Sequence, residues 1–312
     1  MIGIKGIFAN RSVLFHTGVF AYLLLMGFLL SAVSGFVILK TANTSTGMEN
    51  ASGMSFYLLH ATQFFSNIFL FFLPAAGTAY LCSHHPAGFL NMRRIPDIKV
   101  VLLSVLMLLM VFPLIDVTTY FNEKMRLPEF MAPLENWMRT TEDLAAGLTE
   151  KMLSEEGVIP FFINILIIGV MAGVTEELLF RGTLLTILRE KIKNPHVAIW
   201  IIASLFSAIH FQFYGFIPRL LLGAIFGYML YWSHSIWIPV IAHFLNNTII
   251  LIANKAGFFS DITDSSIFIP ADPSPKEFIL ISIITTAGLI GFYFCAKVVR
   301  GANGRTGERA NG

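Results

Sequence analysis

Eight apolar stretches set the terms for this chain, over residues 12–39, 54–82, 98–121, 158–188, 196–213, 216–233, 235–254 and 276–299. A helix needs about 20 mostly apolar residues to cross the hydrocarbon core of a bilayer. Inside lipid each backbone polar group must be satisfied within its own segment or a closed barrel. Stretches of this length therefore specify helices, and the expected fold is all-α: a polytopic membrane bundle of about eight transmembrane helices in a single domain over 1–312. The first stretch is too long for a cleaved signal peptide and lacks the small-residue cleavage site of one. Composition supports the same class: 13% of residues are charged, against about 25% in soluble domains. A formal net charge of +2 gives no footprint for a nucleic-acid partner. Cys82 and Cys295 flank apolar runs without metal-ligand spacing, which excludes a disulfide scaffold and a zinc finger.

Positive loops mark the cytoplasmic side. With Lys5 and Arg11 inside, the cytoplasmic segments hold Arg93, Arg94 and Lys99, then Arg189, Lys191 and Lys193, then Lys297, Arg300, Arg305 and Arg309. The opposite segments carry Glu49, the 122–156 stretch, and Asp261, Asp264 and Asp272. This alternation puts both termini in the cytoplasm. In 122–156, Leu134, Trp137, Met138, Leu144, Leu148 and Met152 recur at roughly helical spacing among acids, as in an amphipathic segment at the external interface. The basic, Gly-rich tail 301–312 is expected to be disordered. Gly223 and Gly227 permit close helix approach, and packing inside the bundle is the preferred reading over a dimer face. Spans six and seven are joined so tightly at Ser233, His234 and Ser235 that they form a hairpin.

Ionisable groups within a span cost at least ~2.5–3.5 kcal/mol each at the helix centre and mark functional sites by default. The fourth span contains Glu176, Glu177 and Arg181. Glu177 and Arg181 share a helix face, acid first, the better order for an ion pair. That pair alone is explained as a structural staple; Glu176, about 100° round the helix, is not. The fifth span ends in Phe206-Ser207-Ala208-Ile209-His210, and the seventh carries His243-Phe244-Leu245-Asn246-Asn247, in which His243 and Asn247 share a face. Counted from the cytoplasmic ends at ~1.5 Å per residue, Glu176 lies about 18 Å in, His210 about 21 Å, His243 about 12 Å and Asn247 about 18 Å. One polar layer accommodates all four.

Such a layer suits hydrolysis. A carboxylate and an imidazole hold and deprotonate a water, while a second imidazole and an amide NH₂ stabilise the oxygen that becomes negative. The same groups admit a metal site, with Glu176, His210 and His243 as zinc ligands, although they come from three helices without the usual i, i+4 histidine pair.

The ordered motifs Glu-Glu-x-x-x-Arg (176–181), Phe-x-x-x-His (206–210) and His-x-x-x-Asn (243–247) resemble the CPBP family, the CAAX-protease and bacteriocin-processing membrane proteases also called Abi. The resemblance covers about 158–255, a four-helix catalytic core, and no departure from the three motifs is visible. It implies an eight-span fold like that of the CAAX prenyl endopeptidase, with the active site in a cavity within the membrane. It further implies that Glu176 and His210 activate water, that His243 and Asn247 form the oxyanion site, and that Glu177 and Arg181 support the carboxylate. Members are commonly labelled metalloproteases, yet a glutamate-dependent chemistry without obligatory metal has also been described. The metal-free form is favoured here, so no cofactor is expected, with zinc as the alternative. The expected partners are the bilayer and a peptide or protein substrate, lipid-modified or not; the expected location is a cell membrane of prokaryotic, inner-membrane type. The competing class is a non-enzymatic membrane protein. It would be an immunity scaffold, or a proton-coupled transporter using Asp116 beside Pro113 in the third span.

Overall fold

The computed structural model describes residues 4–46, 56–257 and 274–310. The acidic residues Glu49, Asp261, Asp264 and Asp272 expected on the external side lie outside them. The helices, in chain order, are α1 (Val13–Thr46), α2 (Phe56–Cys82), the short α3 (Pro86–Phe89), α4 (Ile98–Glu123), α5 (Ala132–Leu153), α6 (Val158–Lys191), α7 (Pro195–Ala208), α8 (Phe216–Ser233), α9 (Trp237–Lys255) and α10 (Pro275–Ala310). No strand occurs among the described residues. The architecture is the expected all-α, polytopic one, since seven of these helices are long and apolar enough to cross a membrane.

The exception is α7. The stretch expected to span over 196–213 forms a helix of 14 residues, about 21 Å at ~1.5 Å per residue and shorter than the ~30 Å hydrocarbon core. It stops because Phe211 takes a left-handed conformation at φ 53°, which no continuing helix allows. At the other end of the chain, α10 runs to Ala310, through most of the tail expected to be disordered. A nucleated helix gains one hydrogen bond per added residue.

The helices fall into two compact, interleaved units. The first comprises Met1–Arg94, Gly147–Ala198 and His243–Thr248; the second comprises Ile95–Ala146, Ile199–Ala242 and Ile249–Gly312.

In the first unit α1 packs along α2 and against the end of α6. Two polar ties join α2 to α6: His60 Nε2 to Asn164 Oδ1 at 2.6 Å, and Thr183 Oγ1 to the Ala75 carbonyl at 3.5 Å. The ties occur in the same order along both helices, so α2 and α6 run parallel, as alternation demands of a second and a fourth span. Both helices contain π-helical runs, at Asn67–Phe72 in α2 and at Ile165–Met171 and Leu178–Leu184 in α6.

In the second unit α4 packs against α8 and α10. It continues unbroken through Pro113, and Asp116 is buried. Gly223 and Gly227 of α8 face α7: a Cβ on Gly227 would lie 2.8 Å from Ile199 Cγ2, and one on Gly223 3.1 Å from Phe206 Cδ1. These glycines therefore serve packing inside the unit, as expected. The connection after α8 is tight: His234 at φ 54° caps the helix and donates its amide to the Leu230 carbonyl at 2.8 Å. Helix α5 keeps only Met138 buried, while Leu134, Trp137, Leu144 and Leu148 expose apolar surface. Such a distribution fits a helix lying in a membrane interface.

Candidate active site

The site of the first unit is built on the single α-helical stretch Ala172–Glu177, which sits between the two π-helical runs of α6. A π-turn displaces carbonyls from the regular ladder and is found often at functional sites. Here a displaced carbonyl in each run takes a side-chain donor. Asn247 Nδ2 donates to the Ile168 carbonyl at 2.8 Å, and Thr183 Oγ1 donates to the Leu178 carbonyl at 3.1 Å.

Two glycines bring the second helix of the site close. Gly169 and Gly173 share one face of α6, against the His243–Thr248 part of α9. A Cβ on Gly173 would stand 3.1 Å from the Phe244 backbone nitrogen, and one on Gly169 would stand 3.1 Å from Thr248 Oγ1. Small residues at this spacing let helices approach to backbone contact. The consequence is that His243 and Asn247 reach α6 directly.

At the centre is a buried charge network. Glu177 and Arg181 are fully buried and joined by Arg181 Nη1 to Glu177 Oε1 at 2.7 Å. The same Glu177 oxygen accepts from His243 Nδ1 at 2.9 Å. On the other side of the ring, His243 Nε2 lies 3.9 Å from Glu176 Oε2, too far for a hydrogen bond but a gap that one oxygen at about 2.8 Å from each would span. With Glu177 Oε1 accepting from both sides, His243 Nδ1 is the donor to that oxygen. A neutral His243 then has its lone pair on Nε2 and can only accept there; donation from Nε2 requires both ring protons. In that state Glu176, Glu177, Arg181 and His243 sum to zero charge, the condition that makes burial of four ionisable groups tolerable. Glu177 Oε2, Thr175 Oγ1 and the side chain of Asn67 are also buried, with no hydrogen-bond partner among the described residues. Groups of that kind are ordinarily satisfied by ordered water.

His210 belongs to the second unit, just beyond α7. It is half-buried, and its Nδ1 donates to the Phe206 carbonyl at 2.8 Å. That bond fixes the tautomer of the neutral ring and puts the basic lone pair on Nε2. Phe211, which follows, pays for its left-handed backbone, about 1–2 kcal/mol for an L-residue.

Of the residues expected from the sequence, Glu176, Glu177, Arg181, His243 and Asn247 thus gather in the first unit, and His210 stands in the second. Three features escaped the sequence reading. Glu177 was assigned wholly to Arg181, whereas it also anchors His243. The His60–Asn164 tie is a polar pair in two spans, a signal of the same kind as Glu176 that was open to detection. The π-helical runs leave no mark in the hydrophobic pattern. As to a metal, no group of three His, Cys, Asp or Glu side chains able to hold one occurs among the described residues.

A helical membrane protein with a carboxylate, an imidazole and a charge-balanced ion pair buried in its spans is the class defined so far. Residues 158–249 match the model of the family described as type II CAAX prenyl endopeptidase Rce1-like, a family of peptidases, in agreement with the three motifs. Among curated proteins, the uncharacterized protein YpbD of Bacillus subtilis (strain 168) is 28% identical over 103 residues, covering 32% of this chain and 48% of that protein. The chain thus spans about half the length of that relative. No solved structure matches.

Proposed function

We propose that the protein is an intramembrane endopeptidase of the CAAX-protease type, cutting a peptide bond of a membrane-associated substrate with an activated water. The observation that carries this reading is the facing pair Glu176 Oε2 and His243 Nε2 at 3.9 Å, with the other nitrogen of His243 locked by Glu177. Glu176 holds the water and takes its proton as the oxygen attacks the scissile carbonyl; His210 is proposed as the second water-activating group on the strength of the motif resemblance. The carbonyl oxygen becomes an anion, received by His243 Nε2 as an imidazolium donor and by the Asn247 amide. One Asn247 N–H is engaged by the Ile168 carbonyl; an amide NH₂ has a second to give. Collapse of the tetrahedral intermediate breaks the C–N bond, and the proton on Glu176 passes to the leaving amine. Glu177 and Arg181 touch no reacting atom and act by holding His243. No metal takes part in this scheme.

The proposed substrate class rests on the likeness to the prenyl endopeptidase family and on a site embedded in spans. A peptide whose prenylated C-terminal segment partitions into lipid would present its scissile bond at the depth of Glu176. The cell membrane of a prokaryote is the proposed location. The test is cleavage of an internally quenched, farnesylated CAAX peptide by the purified chain in liposomes, with the unprenylated peptide beside it. The wild type should cleave, and His210→Ala should lose about 10²-fold or more at an unchanged melting temperature. Equal rates for His210→Ala and wild type would overturn the assignment of roles.

A further inference from the structure

The amphipathic helix α5 has work beyond lying at an interface. Three of its side chains close on the turn Phe213–Gly215, which links α7 to α8. Glu142 Oε2 accepts the Tyr214 amide at 3.1 Å. The Arg139 guanidinium lies 4.3 Å from the centre of the Tyr214 ring. The Trp137 and Phe213 rings pack with centroids 5.2 Å apart. Arg139 is itself fixed by Glu135, through Nη2 to Oε1 at 2.7 Å and Nε to Oε1 at 3.0 Å. Glu142 is half-buried, and burial raises its carboxyl above the ordinary range, opposed by the Tyr214 amide and Arg219.

What the clamp holds is a strained piece of chain. Phe211 is left-handed at φ 53°, a conformation bulky residues keep only where their surroundings over-determine it. The far side of the turn is pinned independently: Asn122 of α4 bridges the Phe213 carbonyl at 3.0 Å and the Ile217 amide at 2.9 Å, and Ser207 Oγ donates to the Phe216 carbonyl at 2.7 Å. On the near side α5 holds Phe213 and Tyr214, while Arg219 of α8 donates to the Gln212 carbonyl at 3.4 Å and to its Oε1 at 2.8 Å. His210 stands at the entry to that side.

We propose that α5 is the positioning element for His210, with Glu142 as the positioning residue and Arg139 and Trp137 completing the clamp. This rests on the reading of His210 as a water-activating group. Displacement of a catalytic group by about 1 Å costs on the order of 10²-fold in rate, so a loosened turn lowers kcat while substrate affinity is kept. It also explains why a mostly exposed helix places an acid and an arginine against one loop instead of facing both to water.

The experiment compares Glu142→Ala and Glu142→Gln in the full chain reconstituted in lipid nanodiscs, by amide hydrogen exchange and by turnover of the farnesylated peptide. In Glu142→Ala the amides of 211–216 should exchange at least about tenfold faster while those of α1 are unchanged, with kcat down about tenfold or more and KM within about threefold. Glu142→Gln keeps a carbonyl acceptor for the Tyr214 amide and should restore both. Should Glu142→Ala fail to fold, Trp137→Ala is read in the same way. Unchanged exchange over 211–216, or faster exchange with undiminished kcat, overturns the proposal. A His210→Ala control at full activity would instead remove the role given to His210, and the exchange data would still decide whether α5 holds the turn.

Discussion

Removal of Arg181 separates what the buried network does for stability from what it does for His243. Arg181 and Glu177 are both fully buried, 2.7 Å apart. Arg181→Met fills similar volume but strands a carboxylate out of water, which costs about 3–5 kcal/mol. Glu177→Leu strands the guanidinium and also takes the acceptor from His243 Nδ1, now bonded at 2.9 Å. Its cost is at least as large. In the double variant no charge is stranded, and the remaining loss is the unpaired imidazole N–H, about 1–3 kcal/mol. The double variant should therefore be more stable than either single one, a non-additivity diagnostic of direct coupling. Unfolding by titration with a denaturing detergent in mixed micelles, read by circular dichroism, measures all four corners of the cycle. Activity should behave differently. Without Glu177 the His243 ring loses the carboxylate that orients it and stabilises its imidazolium, and losing such a partner costs up to about 10⁴-fold. The double variant should be folded and inactive. Additive losses, with the double variant the least stable, would refute the view of the pair as mutually compensating charges; an active double variant would refute the anchoring of His243.

Gly173→Ala places a Cβ 3.1 Å from the Phe244 backbone nitrogen; since backbone cannot swing aside, α9 must shift, at about 1–3 kcal/mol, and turnover should fall with the melting temperature. Glu135 is held down to about 2 by the hydrogen bond from Arg139 first and the Leu127 amide second. The stabilisation it brings to the start of α5 is present above its ordinary value near 4.5 and is lost as pH falls through about 2. Fluorescence of Trp137 should therefore respond to acid near pH 2, and in Arg139→Gln at a higher pH; a wild-type transition near 4.5 would count against it. Treatment with phenanthroline or EDTA should leave turnover unchanged, whereas loss of activity restored by stoichiometric zinc would show that a metal takes part.

Much of this was legible in the sequence because the bilayer is a demanding solvent. Lipid makes each span declare itself by length, and it makes Glu176, Glu177 and Arg181 conspicuous because charge is expensive there. The spacing of Glu177 and Arg181 gave their ion pair directly. It could not give the third member, because contact between Glu177 and His243 depends on how closely α9 approaches α6. That distance is set by Gly169 and Gly173, whose meaning appears only when the facing backbone is known. The π-helical runs were hidden for a related reason: an inserted residue shifts a helix face by about 100°, yet in a stretch apolar on all sides no pattern records the shift. The short α7 was overestimated because Phe211 and Phe213 extend the apolar run while the backbone at Phe211 ends the helix. Hydropathy sees side chains, and the strain that ends α7 is in the backbone.

In the proposed mechanism Glu176 activates a water to cut a peptide bond within the membrane. The most direct test is mass spectrometry of the cleaved farnesylated peptide from reactions in ¹⁸O-labelled water, with wild type and Glu176→Gln matched for folding. The account predicts one labelled oxygen in the new carboxylate from the wild type and a rate lower by about 10²-fold or more for Glu176→Gln. Labelled product formed by Glu176→Gln at the wild-type rate would contradict it.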